Sequence, residues 1–203
     1  MFSRRDFMGG TAAALGLSAC GGGGTKMGQR KVGKVGLQTY TVREAFEPDP
    51  LGTLKMIKDV GYDYVELNDR NFATRHPQEL KDMLEEVGLP CPASHIGYDA
   101  SYQEKDLMVA VGRTLGLKYW VVPYMHDHLR SIEDWKGHAK NFNETGKVLS
   151  EAGMRFAYHN HQFEFDDIGG GTTAMDILLA ETDPDYVDFE LDIYWTALGK
   201  TNV

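Results

Sequence analysis

The segment Tyr158-His159-Asn160-His161-Gln162-Phe163-Glu164-Phe165 sets two imidazoles and a carboxylate among aromatic residues, directly after Met154-Arg155-Phe156-Ala157. Further on, Val187-Asp188-Phe189-Glu190-Leu191-Asp192-Ile193 alternates acidic with apolar residues. Side chains alternate across a strand, so Ala157, His159 and His161 share one face and Phe156, Tyr158 and Asn160 the other. By the same rule Asp188, Glu190 and Asp192 lie opposite Phe189, Leu191 and Ile193. Apolar faces belong against covering helices, which turns the imidazoles and carboxylates inward together. An inward carboxylate without a partner is costly or becomes protonated. A bound divalent cation resolves that cost, as does an ion pair with an inward Lys or Arg. Mixed carboxylate and imidazole donors suit Mn2+, Fe2+, Co2+ or Zn2+ better than Ca2+.

The surrounding pattern says what must position these groups. Apolar runs at residues 35–42, 64–67, 91–96, 119–123, 154–161 and 187–193 read as six strands. Between them, residues 51–60, 77–87, 103–115, 132–152 and 173–181 have helical spacing, with Gly88, Gly116 and Gly153 as stop signals. Strands alternating with helices predict right-handed βαβ units and a parallel sheet. A doubly wound sheet usually carries a glycine-rich phosphate loop after an early strand, whereas here Gln38-Thr39-Tyr40-Thr41-Val42-Arg43 follows. The α/β class expected is therefore a TIM (β/α)8 barrel, with Gln38, Glu66, His95, Tyr124, His159 and Asp192 at the C-terminal strand ends. Only about six βα units are present, so the sequence reads as part of a longer protein, a smaller open sheet being the alternative.

Composition narrows the class further. The chain has 203 residues, 42% of them hydrophobic, enough for one sizeable core. A net charge of -9 leaves no basic footprint for a nucleic acid. At the N-terminus, Arg4-Arg5 precedes a short stretch of small and apolar residues, the pattern of twin-arginine export. Leu17-Ser18-Ala19-Cys20 resembles a lipobox, which makes Cys20 the expected lipidation site; ordinary cleavage would leave it a free thiol. The expected organisation is a signal at 1–20, a flexible tether at 21–32 and a barrel at 33–203. Localisation would then be periplasmic or at the cell surface, with the membrane reached only through the anchor at Cys20. Cys91 reads as a small buried residue.

Four segments together resemble a known family. Gly61-Tyr62-Asp63-Tyr64-Val65-Glu66-Leu67, Ser94-His95-Ile96-Gly97, the 158–165 segment and Phe189-Glu190-Leu191-Asp192-Ile193-Tyr194-Trp195 are similar to the xylose-isomerase-like sugar phosphate isomerase/epimerase family. The resemblance covers roughly residues 33–203. It implies a TIM barrel holding one divalent metal through two glutamates, an aspartate and a histidine. Asp192 matches the aspartate ligand. The family's first glutamate falls where this sequence has His159, so Glu164 is the expected substitute and His161 its competitor. The remaining histidine and glutamate belong to seventh and eighth strands. Trp195 stands where two-metal relatives often carry a histidine, which argues against a multi-zinc nuclease.

The resemblance implies a metal-dependent sugar isomerase or epimerase working by α-proton abstraction through an enediolate. Glu164 is the expected base or ligand, and His95 the expected catalytic or substrate-contacting group. His159, His161, Trp195 and Glu66 are expected to line the sugar. Glu66 and Glu190 equally admit structural pairing with Arg43 or Arg155. Two other functions fit the same residues: a metal-dependent lyase or hydrolase acting on oxidised (keto) glycosides, and a non-catalytic carbohydrate-binding lipoprotein on a degenerate barrel.

Overall fold

A computed structural model describes residues 33–200. The strands are β1 (Gly36–Gln38), β2 (Tyr64–Leu67), β3 (Ala93–His95), β4 (Tyr119–Val122), β5 (Arg155–His159) and β8 (Val187–Glu190). They form one sheet in the order β1-β2-β3-β4-β5-β8, every neighbouring pair parallel. A small antiparallel hairpin, β6 (Asp167–Gly169) with β7 (Thr172–Thr173), sits between β5 and β8 in sequence and outside the sheet. Among the described residues β1 and β8 are the two edges of the sheet. This α/β arrangement is the one expected, with six parallel strands and their helices.

Local chemistry sets the helix bounds. The Asp49 side chain accepts the Gly52 N–H at 2.9 Å and starts helix Pro50–Val60. Ser131 with Asp134, and Thr173 with Asp176, form capping boxes that open helices Ile132–Glu151 and Ala174–Glu181. Helix Pro77–Val87 ends at Gly88, whose φ of 68° is a left-handed cap that favours glycine.

The outward face of the sheet makes the core. Val65, Leu67, Trp120, Val122, Phe156 and Tyr158 are all 2% exposed or less. Helix Ile132–Glu151 covers the β5 pair: the Phe142 ring lies 4.9 Å from that of Phe156, and the Trp135 ring 6.1 Å from that of Tyr158. Fully burying one such side chain is worth roughly 1.5–3 kcal/mol, so this layer holds the strands in place. Helix and sheet approach closely at Gly146, where an added Cβ would lie 2.4 Å from the Tyr186 carbonyl oxygen.

Several elements are shorter than the sequence pattern predicts. β1 stops at Gln38 because the chain turns into a 3-10 helix, Thr39–Val42, capped by the Gln38 side chain. β3 starts only at Ala93, after Pro90 and Pro92, which offer no N–H to a ladder. The helix predicted at 103–115 runs Lys105–Leu115, with a separate short helix, Tyr98–Gln103, ahead of it. β8 ends at Glu190, and helix Ile193–Lys200 follows almost at once. Leu191 and Ile193 are consequently 47% and 78% exposed, rather than packed outward as strand residues. The signal, tether and Cys20 lie outside the described residues. Among the described residues no helix is long and apolar enough to cross a membrane.

Gly146→Ala forces helix and carbonyl apart, and overpacking of this kind costs typically about 1–3 kcal/mol. Urea denaturation should show a loss of that size; a change below about 0.5 kcal/mol, the usual range for surface substitutions, contradicts the packing described.

Candidate active site

Parallel strands all present their C-terminal ends on one side, so their last inward residues meet there. The register pairs Gln38 of β1 with Glu66 of β2, and His159 of β5 with Glu190 of β8. His95 closes β3. Two strands, β4 and β5, separate β3 from β8. In a flat sheet that offset is roughly 14 Å, three strand spacings. Yet His95 Nε2 lies 3.2 Å from Glu190 Oε1. The sheet must therefore curl until its inward faces meet, as in a barrel.

His95 is the hub. Its Nε2 is 2.7 Å from Glu66 Oε1 as well as 3.2 Å from Glu190 Oε1. The Nε2–H aligns with Glu190, which leaves buried Glu66 Oε1 without an aligned donor. On the other side of the ring, Gln38 Nε2 sits 3.1 Å from His95 Nδ1. His159 Nδ1 donates to the same Glu190 oxygen at 3.1 Å. That donation leaves the neutral His159 ring a bare Nε2, which faces Asp192 Oδ2 across 4.0 Å.

The two carboxyls are driven apart. Burial, with Glu190 beside it, raises Glu66 above the ordinary carboxylate value despite the pull of His95. Burial also disfavours charge on Glu190, but hydrogen bonds from His159 and His95 outweigh it and hold this carboxyl well below its usual range. For His95, burial opposes the proton while both carboxylates favour it, and the ring is raised to about 9. Carboxyls with opposed environments in one cluster are the arrangement that assigns acid and base roles.

Other predicted residues fall elsewhere. Glu164 is fully buried; its Oε1 accepts from Tyr158 Oη at 2.5 Å and its Oε2 from the His161 N–H at 2.8 Å. Tyr158 belongs to the outward face of β5, so Glu164 serves the core behind the strand. The structure does not bring it into a donor group with Asp192. Asp192 lies beyond β8, where its Oδ1 accepts the Trp195 N–H at 2.9 Å and its carbonyl the Thr196 N–H. Glu66 and Glu190 meet His95 rather than Arg43 or Arg155; Arg155 pairs with Asp188 and Arg43 bonds the Tyr40 carbonyl. His161 sits in an aromatic rim, its ring 5.7 Å from Phe163, 5.1 Å from Trp195 and 5.5 Å from Tyr124. Burial, then the neighbouring His159, lowers His161 to about 4. Cys91 is buried, and that burial pushes its thiol up to about 12.

Among the described residues, the donor atoms of His95, His159 and Glu190 lie within 4.8 Å of one another, a spacing that could hold one ion. Imidazole and carboxylate donors fit a first-row divalent metal, and the orphaned Glu66 oxygen leaves the cluster one partner short.

The chain matches no family model and no curated protein. Its likenesses are to solved structures. A sugar phosphate isomerase/epimerase from Parabacteroides distasonis aligns over 82% of this chain and 68% of its own, with 26% identity and a TM-score of 0.70. The fold is that of the xylose isomerase-like sugar phosphate isomerases/epimerases. A 3-keto-D-glucoside 4-epimerase from E. coli shares this fold over 81% of the chain and 70% of its own, at 18% identity and a TM-score of 0.58. A family 2 AP endonuclease from Brucella melitensis does so over 79% and 69%, at 13% identity and a TM-score of 0.61. The chain thus spans about two thirds of the length of these xylose isomerase-like barrels.

Sequence reasoning placed Gln38 at a strand end without giving it a role, and left Glu190 open between site and structure. The signal for both was parity with residues already singled out: Glu190 shares a face with Asp192's side of the strand, and Gln38 closes a strand as His95 does.

His161 is neutral in the folded protein down to about pH 4 but gains its proton near 6.5 when unfolded. The unfolded chain therefore binds the proton first, and stability falls as pH drops from 6.5 towards 4. His161→Phe keeps the ring stack and removes that dependence. Urea midpoints at pH 7 and 5 should differ less in the variant than in the wild type; equal differences would contradict the burial of this ring.

Proposed function

We propose that this cluster is the proton-transfer part of a carbohydrate isomerase or epimerase site, acting on a sugar carbonyl and its adjacent C–H. The observation that carries this reading is the meeting of Glu66, His95 and Glu190 at one imidazole nitrogen, with the two carboxyls pushed in opposite directions. Similar structures described as a sugar phosphate isomerase/epimerase and a 3-keto-D-glucoside 4-epimerase support the class.

Glu66, raised above the ordinary carboxylate value by burial, is the carboxyl of the pair better suited to hold a proton once taken. As the carboxylate it takes the α-proton, and the C–H electron pair moves into the new C=C bond of an enediolate. The Nε2–H of His95 exchanges its bond to Glu190 for one to the oxygen on which charge develops. Return of the proton to the neighbouring carbon, with the hydroxyl proton passing between the two oxygens, gives the isomer; protonation of the same carbon by a donor on the opposite face gives the epimer. Glu190 stays ionised and orients His95 and His159. A divalent ion, for which His159, Glu190 and Asp192 are the available donors, would supply Lewis-acid polarisation of the sugar carbonyl. The aromatic rim of Tyr124, His161 and Trp195 offers ring faces to the sugar. The same reading takes the chain to be exported and anchored at Cys20, so the substrate is a free sugar or glycoside rather than a sugar phosphate.

The test is solvent deuterium wash-in, followed by NMR over a panel of aldoses, ketoses and keto-glycosides with Mn2+ or Zn2+ present. Wild-type protein should exchange the α-hydrogen of at least one sugar, and Glu66→Gln should slow this by about 10²–10⁴-fold, the worth of a positioned base. Release of an aglycone would assign elimination instead. Sugar binding without any wash-in would overturn the enzymatic reading.

A further inference from the structure

The Gln38 amide has only one orientation that satisfies its neighbours. Its Oε1 accepts the Tyr40 N–H at 2.5 Å, a bond formed as the chain turns from β1 into the Thr39–Val42 helix. The amide nitrogen is thereby aimed at His95 Nδ1, 3.1 Å away. Turning the amide over would set its NH2 against the Tyr40 N–H, donor against donor. An amide nitrogen only donates, so in the neutral ring the Nδ1 it addresses is the nitrogen that offers a lone pair.

The geometry points to Gln38 as the positioning residue that fixes His95 as its Nε2–H tautomer, making His95 a hydrogen-bond donor to the site rather than a metal ligand. The opposite side of the ring agrees, because Glu66 and Glu190 offer only acceptors to Nε2. His159 has the reverse arrangement: its Nδ1 donates to Glu190, and its Nε2 keeps the lone pair. Of the three residues spaced to hold an ion, His159 and Glu190 then present electron pairs to it, while the lone pair of His95 is taken by Gln38 and its Nε2 presents an N–H. The two histidines divide the work, one supplying a proton to hydrogen-bond and the other a lone pair to bind with. The order of the elements makes this possible, since the turn that ends β1 also sets the Gln38 amide.

This inference rests on the site proposed above, but its readout needs no turnover. If the isomerase reading fails, the tautomer result still stands, and a wrong tautomer leaves the wash-in result untouched. The experiment is two-bond 1H–15N correlation NMR on 15N-histidine-labelled protein. Spectra are recorded over a rising pH series, and the tautomer is read where the His95 signals have stopped moving and the ring is neutral. His95 is identified by the loss of its signals in His95→Asn. Wild type should show a bare Nδ1 and a protonated Nε2. Gln38→Glu replaces the donor with an acceptor and should place a proton on Nδ1. Gln38→Met deletes the donor alone and should shift the Nδ1 signal towards that of an unbonded bare nitrogen. His138 is the folding control in the same spectrum: its Nε2 faces the Leu129 carbonyl at 2.8 Å and must stay protonated throughout. A wild-type proton on Nδ1, or a His95 pattern unmoved by either variant while His138 is unchanged, overturns the inference.

Discussion

Two carboxylates, contributed by β2 and β8, close on the Nε2 of His95 on β3. The contact with β8 cannot exist in a flat sheet, because two intervening strands would hold the partners far apart. Curling brings the inward faces together, and the inward residues then have to be compatible. Acidic side chains facing one another need a donor between them, and His95 is that donor. His159 repeats the solution one strand from the edge, bonding Glu190 from the other side. Closure of the sheet and electrostatics of the site are thus one problem. Phe156 and Tyr158 under helix Ile132–Glu151, and Trp120 bonded to helix Lys105–Leu115, hold the curved strands from outside.

The alternation of strand and helix was legible because it depends on periodicity and glycine stops, which survive in a single sequence. β2 and helix Pro77–Val87 begin and end where the pattern places them. The strand ends were less legible, since side-chain caps and prolines decide them: Gln38 turns β1, Pro90 and Pro92 delay β3, and β8 gives way to a helix after Glu190. The β6–β7 hairpin escaped notice for a related reason. Asp167 holds the N–H groups of Gly169 and Gly171, so a local Asx turn, not an apolar run, creates it.

At the site, parity along β5 and β8 correctly grouped His159 with Glu190. Glu164, taken from the family resemblance rather than from parity, lies after the strand. There the chain folds back, and Tyr158 and the His161 N–H claim both oxygens of the carboxylate. Asp192 lies just past the end of β8. One of its oxygens holds the following helix while the other faces His159. Family resemblance pointed to the right end of the sheet, but the geometry of the strands decided which side chains share it.

The account depends on the contact that crosses the curled sheet, and a double-mutant cycle between His95 and Glu190 measures it directly. His95→Gln, Glu190→Gln and the pair would be compared by urea denaturation at neutral pH. Residues in direct contact within one network should show a coupling above about 0.5 kcal/mol. Losses that add within about 0.3 kcal/mol would mean that the two residues do not meet, and that the strand ends do not form the single site described.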